Sequence, residues 1–318
     1  MESTRKLIED LGSGDPLARY RAVDALSARR EDNFDAIVEL LALGGPHQRA
    51  AAAEILGRWR AREAFNQLVS AMRDPDVSVR ARCIEALGMI DPQRAQPTLL
   101  QASRDANPEV RAWTIDVLSR LKSSAVQKVL HKALDDPDAN VRWHAAEAIA
   151  RNEGERAAEH LLSMLKDSDA GIRALVTELL GRLKIRAAQD RLIDLLHDTD
   201  HQVRWRAADA LVALGNKSIA ADLVPQLKHD DAGVRWRVVY ILGRLGSKKT
   251  IQPLIAALDD NDAHVRARAA EALGLIGDAK AIDVLRARAN DTASAGLLGA
   301  VGEVAQAAIE EIENKKKP

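Results

Sequence analysis

The sequence predicts an all-α solenoid of nine helix pairs followed by a C-terminal capping segment. Three observations carry this. Arg19, Arg49, Arg80, Arg111, Arg142, Arg173, Arg204, Arg235 and Arg266 hold one place in a repeating pattern, with a first gap of 30 residues and seven gaps of 31. A period in that range marks a repeat array. Leucine-type residues recur four apart upstream of the anchor arginines, as in Leu130 and Leu134, Leu192 and Leu196, Leu223 and Leu227, and Leu254 and Leu258. That is one apolar stripe at helical spacing. No useful stretch of period-2 alternation appears, which leaves no strands to build a sheet.

Each element follows in order. The leucine stripe is the first helix of a unit. A short polar turn comes next, with Asp136-Pro137-Asp138-Ala139-Asn140 typical and Asp suited to cap the helix that follows. The second helix runs through Val141, Ala145, Ile149 and their equivalents, and Gly215, Gly246 and Gly277 stand where it should stop. A lone pair of this length cannot bury its apolar stripe, so each unit must stack on its neighbours. The ends should be atypical: the first unit carries Ser13, Gly14 and Ser27, and after Arg266 the register breaks, with the next arginine slot at Leu297. The expected organisation is a single solenoid over 1–318. Nine repeats fill 1–288, an irregular cap with a final helix fills 289–312, and a basic tail ending in Lys315-Lys316-Lys317 fills 313–318. That tail reads as solvated.

Placed on a helical wheel, the anchor arginine falls inside the buried arc of the second helix. A guanidinium in a helix seam needs an acceptor. Four residues before the anchor stand Asp15, Asp76, Asp138, Asp169, Asp200, Asp231 and Asp262, with Gly45 and Asn107 as exceptions. The expectation is a structural ladder in which Arg80, Arg142, Arg173, Arg204, Arg235 and Arg266 fork onto these acids. Cys83 replaces an alanine three residues after its anchor and reads as packing.

Composition narrows the function. The 318 residues carry a net charge of −1 and are 47% hydrophobic and 29% charged, too apolar and too balanced for a disordered chain. The balance also removes the main electrostatic argument for nucleic acid as a partner. One cysteine excludes a disulfide framework and cysteine-based zinc sites and fits a reducing, cytoplasmic setting. No run approaches the ~18 apolar residues of a membrane helix, and the start, MESTRKLIED, lacks a signal-peptide core.

The pattern Asp-x-x-Val-Arg-x-x-Ala-x-x-Ala-Leu-Gly, nearly whole at Asp262–Gly274, resembles the short HEAT repeats of the phycobilisome-lyase type, from about residue 5 to 312. The resemblance implies a right-handed α-α superhelix, a HEAT-like solenoid with first helices on its convex face and second helices lining a concave groove.

Positions one, two, five and nine after the anchor lie opposite the core and should line that groove. Position five is acidic in eight of nine repeats: Asp24, Glu54, Glu85, Asp116, Glu147, Glu178, Asp209 and Glu271. Arg58, Arg120, Arg151 and Arg182 follow their acids by four residues, and Arg21, Arg82, Arg206 and Arg268 precede theirs by three. Both spacings favour local ion pairs, so the groove is charged yet nearly neutral. Repeat eight departs from this: Tyr240 takes the acidic slot, Arg237 and Arg244 fill both arginine slots, and Trp236 stands at position one. Trp205 and Arg206 precede it in register, and Trp143 with His144 repeats the theme. Tyr20 and Trp113 also fall on the exposed arc, whereas Trp59, Phe34 and Phe65 read as packing. Exposed tryptophan with arginine is the composition of interface hot spots.

Catalytic chemistry finds no residues. None of the eight histidines is followed by Glu, so the paired His-Glu iron ligands of deoxyhypusine hydroxylase, which has the same repeat type, do not carry over. His144 and Glu147 form one His-x-x-Glu, too few ligands for a metal. There is no phosphate loop and no triad signature. The alkylpurine DNA glycosylases use a similar solenoid to hold DNA, but here phosphate would face the acid line. The expected function is therefore a non-catalytic scaffold without cofactor or metal. It would bind a protein or peptide, preferably acidic, at Trp205, Arg206, Trp236, Arg237, Tyr240, Arg244, Trp143 and His144. The alternative, implied by the resemblance, is a phycobilin-lyase-like or other accessory enzyme that handles a bulky cofactor with a partner subunit.

Overall fold

The computed structural model describes residues 3–315, and the chain divides after Gly154 into two compact units. Each unit is a stack of helix pairs. In the first unit the second helices are Pro16–Ser27, Pro46–Arg58, Val77–Ile90, Pro108–Leu118 and Ala139–Glu153. In the second they are Ala170–Arg182, His201–Leu214, Ala232–Leu245 and Ala263–Ile276. Most first helices between them are shorter, several entered through one 3-10 turn, although Arg30–Leu43 reaches 14 residues. The extreme is Ala220–Leu223, which continues as the 3-10 segment Val224–Lys228. Pro225 lies in that segment, where a missing N–H and a fixed φ do not suit a longer α-helix. A final helix, Val301–Asn314, packs on Ala263–Ile276 and closes the second unit. Among the described residues the only extended pairing is an isolated bridge between Ser294 and Ala300.

The leucine stripes supply the cores. Leu26, Ile37, Ile55, Leu68, Ile84, Leu99 and Leu118 are fully buried in the first unit, and Leu161, Leu179, Leu192, Leu211, Leu223, Leu242 and Leu254 in the second. Neighbouring second helices also touch through their backbones. A Cβ built on Gly243 would sit 2.5 Å from the Ala272 Cβ, and one on Gly57, Gly181 or Gly274 would come 2.7–2.9 Å from Ala86, Ala210 or, on the final helix, Ala308. Gly215, Gly246 and Gly277 end their helices in the left-handed conformation, with φ of 64°, 65° and 76°. Trp59 is buried and donates its indole N–H to Ser27 O at 2.7 Å. Cys83 is also buried, and desolvation pushes its thiol up to about 12, so it has no thiolate character at neutral pH.

The anchor arginines do form forks between repeats, but onto different acids from those expected. Arg49, Arg80, Arg111, Arg173, Arg235 and Arg266 each grip the carboxylate 25 residues ahead, at Asp74, Asp105, Asp136, Asp198, Asp260 and Asp291. Nε and Nη2 donate to the two oxygens at 2.7–3.3 Å, the Arg235 pair being 2.8 and 2.8 Å. Nη1 turns back to carbonyls of its own turn, as when Arg80 reaches Asp74 O at 2.8 Å and Pro75 O at 3.2 Å. The same Asp also accepts the backbone N–H two residues on, for example Asp76 N to Asp74 Oδ1 at 2.8 Å.

Asp76, Asp138, Asp169, Asp200, Asp231 and Asp262, the expected fork partners, are helix N-caps. Asp138 Oδ1 accepts from Asn140 N and Val141 N at 3.0 and 3.2 Å, Asp76, Asp200 and Asp262 likewise cap two amides, and Asp169 and Asp231 cap one each. The reason is local. A cap residue has extended backbone, which turns its short side chain onto the first free amides of its own helix. The guanidinium passes these caps by: Nε and Nη2 reach the aspartate of the next turn, while Nη1 bonds carbonyls of the turn before its own helix. Arg142 donates to Asp136 O and Pro137 O at 2.9 and 3.1 Å.

The C-terminus needs a second correction. Lys315 is not free in solvent: its ammonium donates to Gly274 O, Leu275 O and Glu311 Oε1 at 3.1, 2.9 and 2.8 Å. Lys316 and Lys317 lie outside the described residues.

The forks make stability depend on acid. The arginine hydrogen bond holds the Asp74 and Asp291 carboxyls below the ordinary carboxylate range, and at Asp260 burial, the largest influence, is outweighed by the Arg235 fork together with the Asp262 N–H and the Arg266 charge. A carboxyl depressed on folding stabilises fully above its unfolded value of about 3.9, and that contribution is lost as pH falls through the folded value. We expect Asp74→Asn to melt below wild type at neutral pH and the gap to close as pH falls below about 4. Circular dichroism melting from pH 7 to 2 checks this, and parallel curves would contradict it.

Candidate functional site

The second helices His201–Leu214 and Ala232–Leu245 lie side by side in the second unit and present an aromatic cluster on their exposed faces. The Trp205 ring is 5.6 Å from that of Trp236, tilted by 41°, and 5.5 Å from that of Tyr240, stacked at 28°. The register explains the contact. Trp205 and Trp236 are both one residue past an anchor arginine, and adjacent second helices pack at close range. All three rings are half-buried, each covering part of the next. The Tyr240 hydroxyl donates to Asp209 Oδ1 at 3.0 Å, so the residue that takes an acidic slot uses the acid of the preceding repeat. Burial first, and then this carboxylate, push the phenol above the ordinary tyrosine value.

Arginines bracket the rings. The Arg237 guanidinium lies 4.5 Å from the centre of Trp236, Arg244 lies 5.6 Å from that of Tyr240, and Arg268 lies 5.9 and 5.8 Å from Trp236 and Tyr240. Arg244 is exposed. Arg268 is partly committed to Glu271 at 2.7 Å, and exposed Arg206 pairs with Glu178 of the preceding repeat at 3.2 Å rather than with Asp209. In the first unit, Arg58–Glu54, Arg82–Glu85 and Arg120–Asp116 are local pairs at 2.6–2.8 Å. These surfaces therefore carry neutralised charge.

Arg237 is a correction to the sequence reading. It was expected on the exposed arc, but only 7% of it is accessible. Its side chain doubles back along its own helix, and Nη1 donates to Gly233 O at 2.6 Å. Gly233 permits this, because a Cβ there would come 3.1 Å from that Nη1. Desolvation, and then the nearby Arg204, hold this guanidinium below the ordinary arginine value. Arg237 thus stiffens Trp236 from beneath and offers no surface to a partner. Trp143, by contrast, is 41% exposed, and His144 is half-buried. Both are on Ala139–Glu153, which belongs to the first unit, whereas Trp205, Trp236 and Tyr240 belong to the second.

Sequence reasoning missed the cap's contribution. Trp236, His264, Arg268, Gly296, Leu297 and Leu298 line a cavity of about 380 Å³ whose walls are almost wholly apolar. Leu297 stands fully in solvent at its rim, at 108% relative exposure. The loop is pinned by Ala295 N to Gly299 O at 2.8 Å and by Val301 N to Ala293 O at 3.0 Å. Behind it Ala267, Ala295 and Val301 form a small buried core. The available signal was the break in register after Arg266, with a leucine in the next arginine slot. Among the described residues, no group of three or more His, Cys, Asp or Glu side chains could hold a metal ion, and no helix is long and apolar enough to cross a membrane.

The chain matches a family described as HEAT repeats over residues 34–105, 97–181, 159–222 and 220–306. Among solved structures, Escherichia coli YibA aligns with a TM-score of 0.51 at 22% identity, over 78% of this chain and 92% of its own. Importin beta aligns with a TM-score of 0.73 at 17% identity, over 99% of this chain and 52% of its own. Yeast importin beta, Kap95p, in a structure with RanGDP, gives 0.70 at 12% identity, over 99% and 50%. The chain thus spans about half the length of the importins, and at these identities the likeness is one of fold. No curated protein sequence matches it.

The Tyr240 geometry has a direct readout. We expect an ultraviolet pH titration to show a phenol ionising above the ordinary value of about 10, and Tyr240→Phe to remove that late step. An unchanged profile in the variant would contradict the Tyr240–Asp209 bond.

Proposed function

We propose, from the premise that this chain belongs to the HEAT-repeat family, that it is a non-catalytic scaffold which binds a protein or peptide on the exposed second-helix faces of repeats seven to nine. One observation carries the reading: a stacked Trp205–Trp236–Tyr240 cluster runs into an apolar cavity with an unprotected Leu297 at its rim. Aromatic rings held rigid by their neighbours give contact area at little entropic cost, and an exposed leucine beside them is a favourable anchor for a partner's apolar side chain.

Charge supports a mixed partner. Arg244 is exposed over the Tyr240 ring, and Arg268 offers its ring-facing side beside the cavity. A segment with an apolar residue for the cavity and a carboxylate for Arg244 suits both. Kap95p binds RanGDP, a precedent for a solenoid of this fold carrying a protein. The acid line along the second helices disfavours nucleic acid.

The test is capture of partners from lysate by immobilised wild type and by a Leu297→Asp, Arg244→Glu double variant. Both positions are exposed, so the variant should fold, which circular dichroism verifies. We expect recovery of the principal partner to fall at least about tenfold. Equal capture by the folded variant would refute the site.

A further inference from the structure

The fork ladder has a gap between repeats seven and eight, and the gap is built of cations. Counting 25 residues on from Arg204 leads to His229, where Arg173, Arg235 and Arg266 each find an aspartate. Arg204 is otherwise seated like the rest: Nη1 donates to Asp198 O at 2.7 Å and Thr199 O at 3.0 Å. The edge that grips a carboxylate elsewhere has none here, and Nε is buried without a partner.

His229 has taken over only the turn-making half of the missing aspartate's work. Its Nδ1 accepts the Asp231 N–H at 3.0 Å, which leaves the proton on Nε2 as a further donor. The His197 ring lies against it, 4.8 Å between centres. Arg237 is 7% exposed and has a second buried and unpartnered Nε, and the charges of Arg204 and Asp231 both act on it. Four carboxylates nearby are committed, Asp198 to Arg173, Asp200 and Asp231 to capping their helices, and Asp209 to Tyr240, while Asp230, next to His229, is exposed. The charges of Asp198 and Asp231 reach Arg204 and Arg237 without bonding their open Nε donors, and two guanidiniums with buried donors and no hydrogen-bonded counter-ion are costly in a desolvated seam. The fork edge of Arg204 has the shape for two oxygens of one group.

We propose that the seam at Arg204, His229 and Arg237 is an oxyanion-binding site, filled by a phosphate group or by a carboxylate supplied from outside the chain in place of the missing aspartate. The ligand needs two acceptor oxygens and a negative charge. Bound there, it would complete the ladder and lock repeat seven onto repeat eight directly beneath Trp236. Occupancy would then set the rigidity of the aromatic cluster, although the site stands apart from the partner-binding reading above.

Thermal melting tests it, with sodium phosphate and sodium glutarate titrated separately at ionic strength matched by sodium chloride. Wild type is expected to show a saturable rise of about 3 °C. A response to phosphate alone identifies phosphate as the ligand chemistry, and one that includes glutarate identifies a carboxylate. His229→Asp restores the fork, so it should melt higher than wild type without added anion and respond to neither. No saturable rise in wild type, or an undiminished one in His229→Asp, would overturn the proposal. If His229→Asp does not fold, Arg237→Met carries the test: half-saturation should move at least tenfold higher, and an unchanged value would overturn it. The Leu297→Asp, Arg244→Glu variant should keep the full anion response, so failure of either reading is seen separately.

Discussion

A guanidinium placed in a seam between stacked helices has to satisfy its donors, and the way these arginines do so governs the rest of the structure. Nη1 fastens to the turn that precedes its own helix, while Nε and Nη2 reach across to the aspartate of the next turn, as Arg235 does with Asp260. One side chain thereby ties two successive turns together at a fixed separation. Leucine packing could not do this alone. Burial of apolar surface is strong but non-directional, and a stripe of similar residues tolerates slippage. A planar fork with two acceptor oxygens accepts one register. The close Gly243–Ala272 and Gly274–Ala308 approaches, which any shift would turn into clashes, depend on that register being held.

With the seams fixed internally, the outer faces of the second helices are open to variation. Most carry acids and arginines that neutralise one another locally, such as Arg82 with Glu85, a surface favoured for solubility and poor in binding energy. Repeats seven to nine differ together. Aspartate gives way to His229 in the ladder, an acid gives way to Tyr240 on the face, and Gly233 opens room for Arg237 to fold inward beneath Trp236. Ladder and surface depart from the pattern at the same place, so a ligand in the seam and a partner on the face would act on the same two helices.

Much of this was legible in the sequence because repetition is its strongest signal. The period, the helix pairs, the capping aspartates and the stop glycines at 215, 246 and 277 all follow from spacing. The ladder acids were misread because every turn offers two. In Asp74-Pro75-Asp76 the second aspartate lies one helical turn from Arg80 and looks like its partner, yet its extended backbone commits it to Ser78 and Val79 amides. The first aspartate recurs 25 residues after an arginine, a spacing visible only when neighbouring repeats are read as a pair. Arg237 was misplaced for another reason. Wheel geometry gives the direction of its Cβ, not the path of a long side chain, and its Nη1 ends against Gly233, where a Cβ would crowd it at 3.1 Å. The cavity beside Leu297 lay beyond reach, since the cap has no periodicity from which to project a position.

The claim that inter-repeat forks hold the stack is tested most directly by a double-mutant cycle on Arg235 and Asp260, with Arg235→Met, Asp260→Leu and the pair compared in urea unfolding. The account predicts a coupling energy of about 2 kcal/mol between the two sites, because each single change strands a charged group in a mostly desolvated seam. Additive effects of the two substitutions would contradict it, and would return the work of setting register to the leucines alone.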